Sequence, residues 1–233
     1  MSTKSITLNA EDARWALRAA LSGASKDDVT PVLCAVEWSI ADGKVRIIAT
    51  DRYVVHEAII TAPEEAPDGV FLMHRDQAQW MLANSHKPHR LYTSQLVRIE
   101  WTEPNGAVPT KRSTPQERRS AAGSIAVEIL GSKDEDAPSF RYVADAVRGN
   151  FPPVRRLFPE MQDDGERFGE VTLSPTLLTR LAHLTRHRGE PLRFMMPKVT
   201  EGKAGPVMVQ NGDGTARALV QPNIMMTAKA WQG

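Results

Sequence analysis

The sequence predicts an α+β protein built from repeated β-α-β-β-β units, with helices on one face of a continuous antiparallel sheet. Apolar spacing alternates between the strand period and the helix period in the same order three times along the 233 residues. Two of the three helical stretches follow plausible caps, Asn9 and Ser174-Pro175, and 16 prolines and 15 glycines punctuate the chain often enough to keep strands short.

The first unit opens with the alternating strand Ser5-Ile6-Thr7-Leu8, and Asn9 can cap a helix from about Ala10 to Ser22. Ala13, Ala16, Leu17, Ala20 and Leu21 form its apolar face. Arg14 and Arg18 lie four apart on another face, where they are expected to point away from the core. Strands follow at Leu33 to Ile40, Val45 to Ala49 and Val54 to Ile60, with Asp42-Gly43 as a hairpin turn.

The second unit has a strand at Val70 to Met73 and a helix from about Arg75 to Asn84. Its later strands fall near Arg90 to Thr93, Leu96 to Trp101, Ile125 to Leu130 and Phe140 to Val147. Residues 103 to 124 lack periodicity and read as a long loop carrying the charge run Lys111 to Arg119. In the third unit a strand at Gly169 to Leu173 leads through Ser174-Pro175 into a helix over Leu177 to Leu184. Strands at Leu192 to Met196, Val207 to Gln210 and Ala216 to Val220 complete it. The expected organisation is a domain of two units over residues 1–148, a linker over 149–167, and a third unit with a tail over 168–233. One such unit cannot cover both its helix and its sheet, so the units are expected to pack side by side.

Composition narrows the function. With 41% apolar residues the chain can bury a substantial core. No signal-peptide layout and no run near the roughly 20 apolar residues of a membrane span occurs, so a cytoplasmic protein with no membrane partner is expected. The net charge of +1 rules out a uniformly basic coat while leaving room for a basic stripe. Cys34, the only cysteine, sits in an apolar run and is expected to be a buried thiol. Phosphate-loop, nucleophile-elbow and paired-cysteine motifs are absent from the sequence. His183 and His187 lie four apart but lack the glutamate and third ligand of a zinc site. The expectation is therefore no catalytic residue, no metal and no cofactor.

Two segments are more specific than the pattern: Ala49-Thr50-Asp51-Arg52-Tyr53-Val54-Val55, and Gly149-Asn150-Phe151-Pro152-Pro153-Val154-Arg155-Arg156-Leu157-Phe158-Pro159. Together with the tail Ala218-Leu219-Val220-Gln221-Pro222-Asn223-Ile224-Met225, they resemble the bacterial sliding clamp, the DNA polymerase III beta family. In that family a Thr-Asp turn followed by Gly-His-Arg-Leu, and a Gly-x-Phe-Pro-x-x-Arg-Arg linker, border a groove for partner peptides. Here Arg52-Tyr53-Val54-Val55 replaces the former, and Gln221 stands where a methionine is usual. Residues 5 to 160 follow the order of the family's second domain, and 168 to 226 resemble the latter half of its third.

The resemblance implies a non-enzymatic replication processivity factor that encircles or contacts duplex DNA. It also implies homo-oligomers that tether DNA polymerase and other replication or repair proteins through short linear motifs. The family's bacterial members have six units, whereas this chain reads as three. A clamp-derived adaptor or competitor that binds replication-protein peptides without forming a ring is the alternative. A nucleic-acid-processing enzyme using the histidines has the least support.

The implied peptide groove comprises Thr50, Arg52, Tyr53, Val54, Val55, Pro152, Arg156, Leu157, Leu219, Gln221, Pro222 and Ile224. An apolar trough with a few polar edges suits short peptides, although the same residues would also suit a self-packed domain junction. Arg14, Arg18, Arg75, Lys87, Arg180, Arg186 and Arg188 lie on or just beyond the three helices, which in clamps face DNA. Phosphate contact there would be independent of sequence and sensitive to salt; the other reading is a solvated helix face.

Overall fold

The computed structural model describes residues 3–85, 95–103, 114, 123–130, 140–158, 173–196, 199–200 and 203–222. Strand alternation in β1 (Thr3–Asn9) turns Ile6 and Leu8 inward. Its last residue caps α1 (Ala10–Leu21): Asn9 Oδ1 accepts from the backbone N–H of Glu11 at 2.8 Å and of Asp12 at 3.4 Å. β2 (Ala35–Ala41), β3 (Lys44–Thr50) and β4 (Val54–Thr61) form an antiparallel meander. Asp42 and Gly43, at φ 52° and 67°, supply the positive φ angles of a two-residue hairpin. The strand expected from Leu33 begins at Ala35 instead, because Pro31 opens a short 3-10 turn over Pro31–Cys34. Ala13, Ala16, Ala19 and Ala20 are fully buried, and these small side chains let α1 lie close against β3 and β4.

The second unit supplies β5 (Gly69–His74), α2 (Arg75–Asn84), β6 (Leu96–Thr102), β7 (Ser124–Leu130) and β8 (Phe140–Asp145). The third supplies α3 (Pro175–Leu181), whose cap Ser174 Oγ accepts from Leu177 N–H at 3.3 Å. The helical stretch expected through Leu184 finishes as a 3-10 turn over Ala182–Leu184. β9 (Leu192–Met195), the small hairpin β10 (Val199–Thr200) and β11 (Lys203–Ala204), β12 (Val207–Asn211) and β13 (Ala216–Val220) follow. Of the strand expected over Gly169–Leu173 only Leu173 is described. The strand expected at Arg90–Thr93, the Lys111–Arg119 run apart from Thr114, Lys87 and Ile224 lie outside the described residues.

The units do not keep their strands to themselves. β1 pairs with β6 in the sheet β1-β6-β7-β8, while β5 pairs with β2 in the seven-stranded sheet β5-β2-β3-β4-β13-β12-β9. Exchange of leading strands makes the two units share one core, which neither could close alone. Trp38 on β2, Phe71 on β5 and Trp101 on β6 stack in series at 5.8 and 5.0 Å between ring centroids, bridging the sheets. A Cβ on Gly69 would stand 2.7 Å from the Trp101 ring, so glycine is required at that approach.

β13 pairs antiparallel with β4, from Val54↔Val220 to Ala58↔Ala216, and so joins the third unit to the first. The main apolar core lies on the helix side and runs from Ile6 to Val220, taking in Leu181 and Leu184. A second cluster occupies the opposite, outer face: Ile48, Val55, Val154, Phe158, Met208 and Leu219. No helix among the described residues is long and apolar enough to cross a membrane.

Candidate functional site

The turn between β3 and β4 is held by its own side chains. Thr50 Oγ1 donates to Val54 O at 2.7 Å and accepts from Arg52 N–H at 3.2 Å. Asp51 Oδ1 accepts from the N–H groups of Tyr53 and Val54, each at 3.0 Å. This locking forces Arg52 to φ +82°, a conformation natural to glycine, which is the residue usual at that place in the resembling family. Arg52 and Tyr53 project into solvent, Tyr53 with 72% of its surface exposed.

Beside the turn, on the outer face, the 149–158 segment crosses the junction of β4 and β13. Gly149, at φ +135° and pressed against Val32, directs the segment there. Val154 and Phe158 cover Val55, Leu219, Ile48 and Met208, and Val55 faces Leu219 across the two strands. The segment is also pinned by charge. Arg155 reaches Glu37 at 3.1 Å and Glu57 at 3.7 Å, and Arg217 holds Glu57 at 2.6 Å while its guanidinium stacks over Phe158 at 4.0 Å. Glu57 is fully buried, and burial raises the Glu37 pKa, an effect that Arg155 opposes.

The expected groove residues therefore divide. Thr50, Val55, Leu219 and Pro222 are buried, while Arg52, Tyr53, Arg156, Leu157 and Gln221 are exposed and Pro152 is half-buried. Gln221 N–H donates to Tyr53 O at 3.0 Å, holding the end of β13 beside the turn. Val54 does not join them, because alternation turns it with its partner Val220 into the helix-side core. Ile48, Val154, Phe158, Met208 and the pins Glu37, Glu57, Arg155 and Arg217 were not anticipated. A signal existed in Ile47-Ile48, where adjacent apolar residues break the alternation and imply a strand covered on both faces.

On the other face, α1 is flanked by helical segments on both sides. The expectation that Arg14 and Arg18 point away from the core is therefore corrected: both are half-buried at those flanks. Arg14 Nη1 donates to Leu82 O and Ser85 O at the end of α2, and Arg18 Nη2 donates to Thr185 O at 3.3 Å. Burial first, then the Arg18 charge, lowers the Arg14 pKa. Arg75 donates to Ser25 O at 3.3 Å. Arg180 donates to Ser22 O at 2.6 Å and pairs with Asp51 at 2.8 Å. Arg186 pairs with Asp12 at 2.6 Å and lies over the Trp15 ring at 3.9 Å. Arg188 is exposed.

A cleft of about 1020 Å³ opens on this helix side of the turn, between the 22–33 loop, Asp51–Tyr53 and the start of α3. Lys26, Arg52, Arg75 and Arg180 line it, together with Asp27 and Asp51. His183 at its wall has a lowered pKa, chiefly from burial and then from Arg18, and His56 behind it is pushed down to about 3 by burial and Arg180. Both imidazoles are neutral at physiological pH. Cys34 is buried, with Sγ 3.1 Å from Asp27 O.

No protein-family model matches the sequence, and no curated protein matches it. Solved structures do match. The DNA polymerase III subunit beta of Pseudomonas aeruginosa superimposes with TM-score 0.63 at 12% identity, over 94% of this chain and 65% of that one. The C. crescentus beta sliding clamp gives TM-score 0.64 at 12% identity over 95% of this chain and 67% of that one. The Bacillus subtilis DNA polymerase sliding clamp gives 0.61 at 13%, over 94% and 63%. The chain thus spans roughly two thirds of the length of these proteins, and across nearly all of its own length it has the fold of the DNA polymerase III beta sliding clamps.

Proposed function

We propose that the chain is a non-catalytic, cytoplasmic replication accessory protein of the clamp kind. It contacts duplex DNA along its helix-bearing face and docks short linear motifs of polymerases and other replication or repair proteins on its outer face. The outer-face site carries this reading: the 149–158 segment, the Asp51–Tyr53 turn and the end of β13 meet over an apolar floor. Beside that floor Leu157 remains 54% exposed and Tyr53 72%. Such half-open apolar side chains around a rigid floor suit one or two apolar anchors of an extended peptide.

A labelled peptide with a glutamine followed by leucine and phenylalanine tests this by fluorescence anisotropy. Each buried anchor is worth about 1.5–3 kcal/mol, so two supply about 3–6 kcal/mol before ordering costs, short of the roughly 8 kcal/mol of a 1 μM complex, and binding no tighter than about tens of micromolar is expected from the anchors alone. Leu157→Asp places an unpaired charge beside the apolar floor and abolishes binding, and the same outcome is expected of Ile224→Asp in the tail beyond the described residues. Unchanged binding in both folded variants overturns the groove.

One observation favours the adaptor that docks peptides without a ring. Arg14, Arg18, Arg180 and Arg186 spend donors on carbonyls and carboxylates of this same chain, which weakens any phosphate contact they make. Retention on circular DNA that is lost when the DNA is linearised supports the clamp; equal, salt-labile retention on both supports the adaptor.

A further inference from the structure

The Asp51–Tyr53 turn that borders the peptide floor is also one wall of the helix-side cleft, and it carries a charge that the chain leaves unanswered. Thr50 and Asp51 lock the turn so that Arg52 is held at φ +82°, which strains any side chain and suits glycine. Strain of this kind persists where a side chain has a task, ligand clamps among them. Among the described residues the Arg52 guanidinium makes one hydrogen bond, Nη2 to Thr30 Oγ1 at 3.1 Å, and pairs with no carboxylate. That bond carries the side chain over to the 22–33 loop, where Thr30 also lines the cleft.

The other cations of the cleft keep donors in reserve. Lys26 is exposed and has neither a hydrogen bond nor an ion pair among the described residues. Arg75 spends only Nη1, on Ser25 O at 3.3 Å. Arg180 engages Nε and Nη1, but its Nη2 is buried without a hydrogen-bond partner. Against these four cations the cleft wall sets two carboxylates, Asp27 and Asp51. Both are occupied: Asp51 pairs with Arg180 at 2.8 Å, and Asp27 Oδ1 accepts from Val29 N–H at 3.1 Å. Spare cationic donors therefore converge on a space of about 1020 Å³. A convex duplex cannot enter such a cleft, whereas the flank of an extended peptide can. That peptide advances about 3.3 Å per residue, so a side chain a few residues from the docked glutamine reaches round the turn.

We propose that the cleft receives a carboxylate side chain from the segment flanking the docked motif, and that Arg52 is the residue that selects for it. Partners of this chain then carry Asp or Glu within a few residues of the glutamine. Arg52 meets the carboxylate first, with Lys26 and Arg75 on the facing loop and helix and the idle Nη2 of Arg180 behind. The proposal rests on the peptide-docking reading above and adds to it a charge preference set by one side chain.

Two labelled peptides test it by fluorescence anisotropy on the full chain. Both carry the glutamine, leucine and phenylalanine anchors; one has neutral flanks and the other two glutamates beside the glutamine. The acidic peptide binds about fivefold tighter at about 0.1 M salt, and the ratio falls towards one at about 1 M salt, where charges are screened within about 3 Å. Arg52→Gly brings the low-salt ratio to about one, and Arg52→Glu inverts it in favour of a peptide flanked by lysines. Arg141→Gln, which removes a charge from the four-stranded sheet, leaves the ratio at fivefold and so excludes net charge as its cause. Equal affinities in the native chain, or a ratio that Arg52→Gly does not change, overturn the proposal and leave the docking reading standing. No binding of either peptide overturns both. Equal affinities together with a single-stranded oligonucleotide that Arg52→Glu holds less firmly than the native chain assign the cleft to phosphates, and overturn it as well.

Discussion

Removing the Glu57 carboxylate should be among the most damaging single changes on the outer face. Glu57 is fully buried between Arg217 at 2.6 Å, Arg155 at 3.7 Å and Arg46 at 4.0 Å. Glu57→Ala leaves three guanidiniums converging on a void. Breaking one partner out of a buried pair costs about 3–5 kcal/mol. The three arginine side chains are 30 to 36% exposed and regain some hydration, so the low end applies, about 3 kcal/mol. For a chain of this size that is a fall in Tm of about 6–12 °C. Because Arg155 belongs to the 149–158 segment, peptide affinity should fall with stability. Urea unfolding measures the first and anisotropy the second. Arg141→Ala, which breaks only the exposed pair with Glu100, should cost about 0.2–1 kcal/mol. A Glu57→Ala cost no larger than that refutes the idea that this carboxylate pins the segment.

Three further outcomes follow from the same geometry. Arg52→Gly relieves about 1–2 kcal/mol of strain at φ +82° against about 0.4–1 kcal/mol of added unfolded-state entropy and the lost 3.1 Å bond to Thr30, so stability should rise by about 0.5 kcal/mol or stay level; a fall of about 1 kcal/mol or more contradicts the strain. His56 has a folded pKa of about 3 against 6.5 when unfolded, so the unfolded chain binds the extra proton as pH falls. Stability should therefore drop by about 1.4 kcal/mol per pH unit from this group between pH 6.5 and 3, and His56→Gln should flatten that slope in acid titrations followed by circular dichroism. Leu157→Asp, at a 54% exposed position, should leave the unfolding midpoint within about 0.5 kcal/mol while abolishing peptide binding; a collapse of the fold instead marks Leu157 as ordinary core.

Much of the architecture was legible because local rules agree with it. Asn9 caps α1, Ser174-Pro175 opens α3 and Asp42-Gly43 makes a hairpin, each through chemistry contained in a few residues. The exchange of β1 and β5 between sheets was not legible, since strand period specifies faces and not partners. For the same reason Val54 was grouped with Val55 although the two side chains leave opposite faces of β4. Arg14 and Arg18 read as an outward pair because spacing along one helix says nothing of the segments that come to flank it. The Glu57 cluster joins residues 46, 57, 155 and 217, too far apart in sequence for any local pattern to connect.

The most direct test of peptide docking is a co-crystal structure of the chain with the glutamine, leucine and phenylalanine peptide. The Asp51–Tyr53 turn lies between the helix-side cleft lined by Arg75 and Arg180 and the apolar cluster that Val154 and Phe158 cover on the outer face. The account predicts that the apolar anchors lie on the outer face, against the exposed Leu157 and Tyr53 beside the covered cluster of Val55 and Leu219, with the glutamine near Arg52 and Gln221. A peptide seated in the helix-side cleft, with Leu157 as exposed as in the free chain, would contradict it.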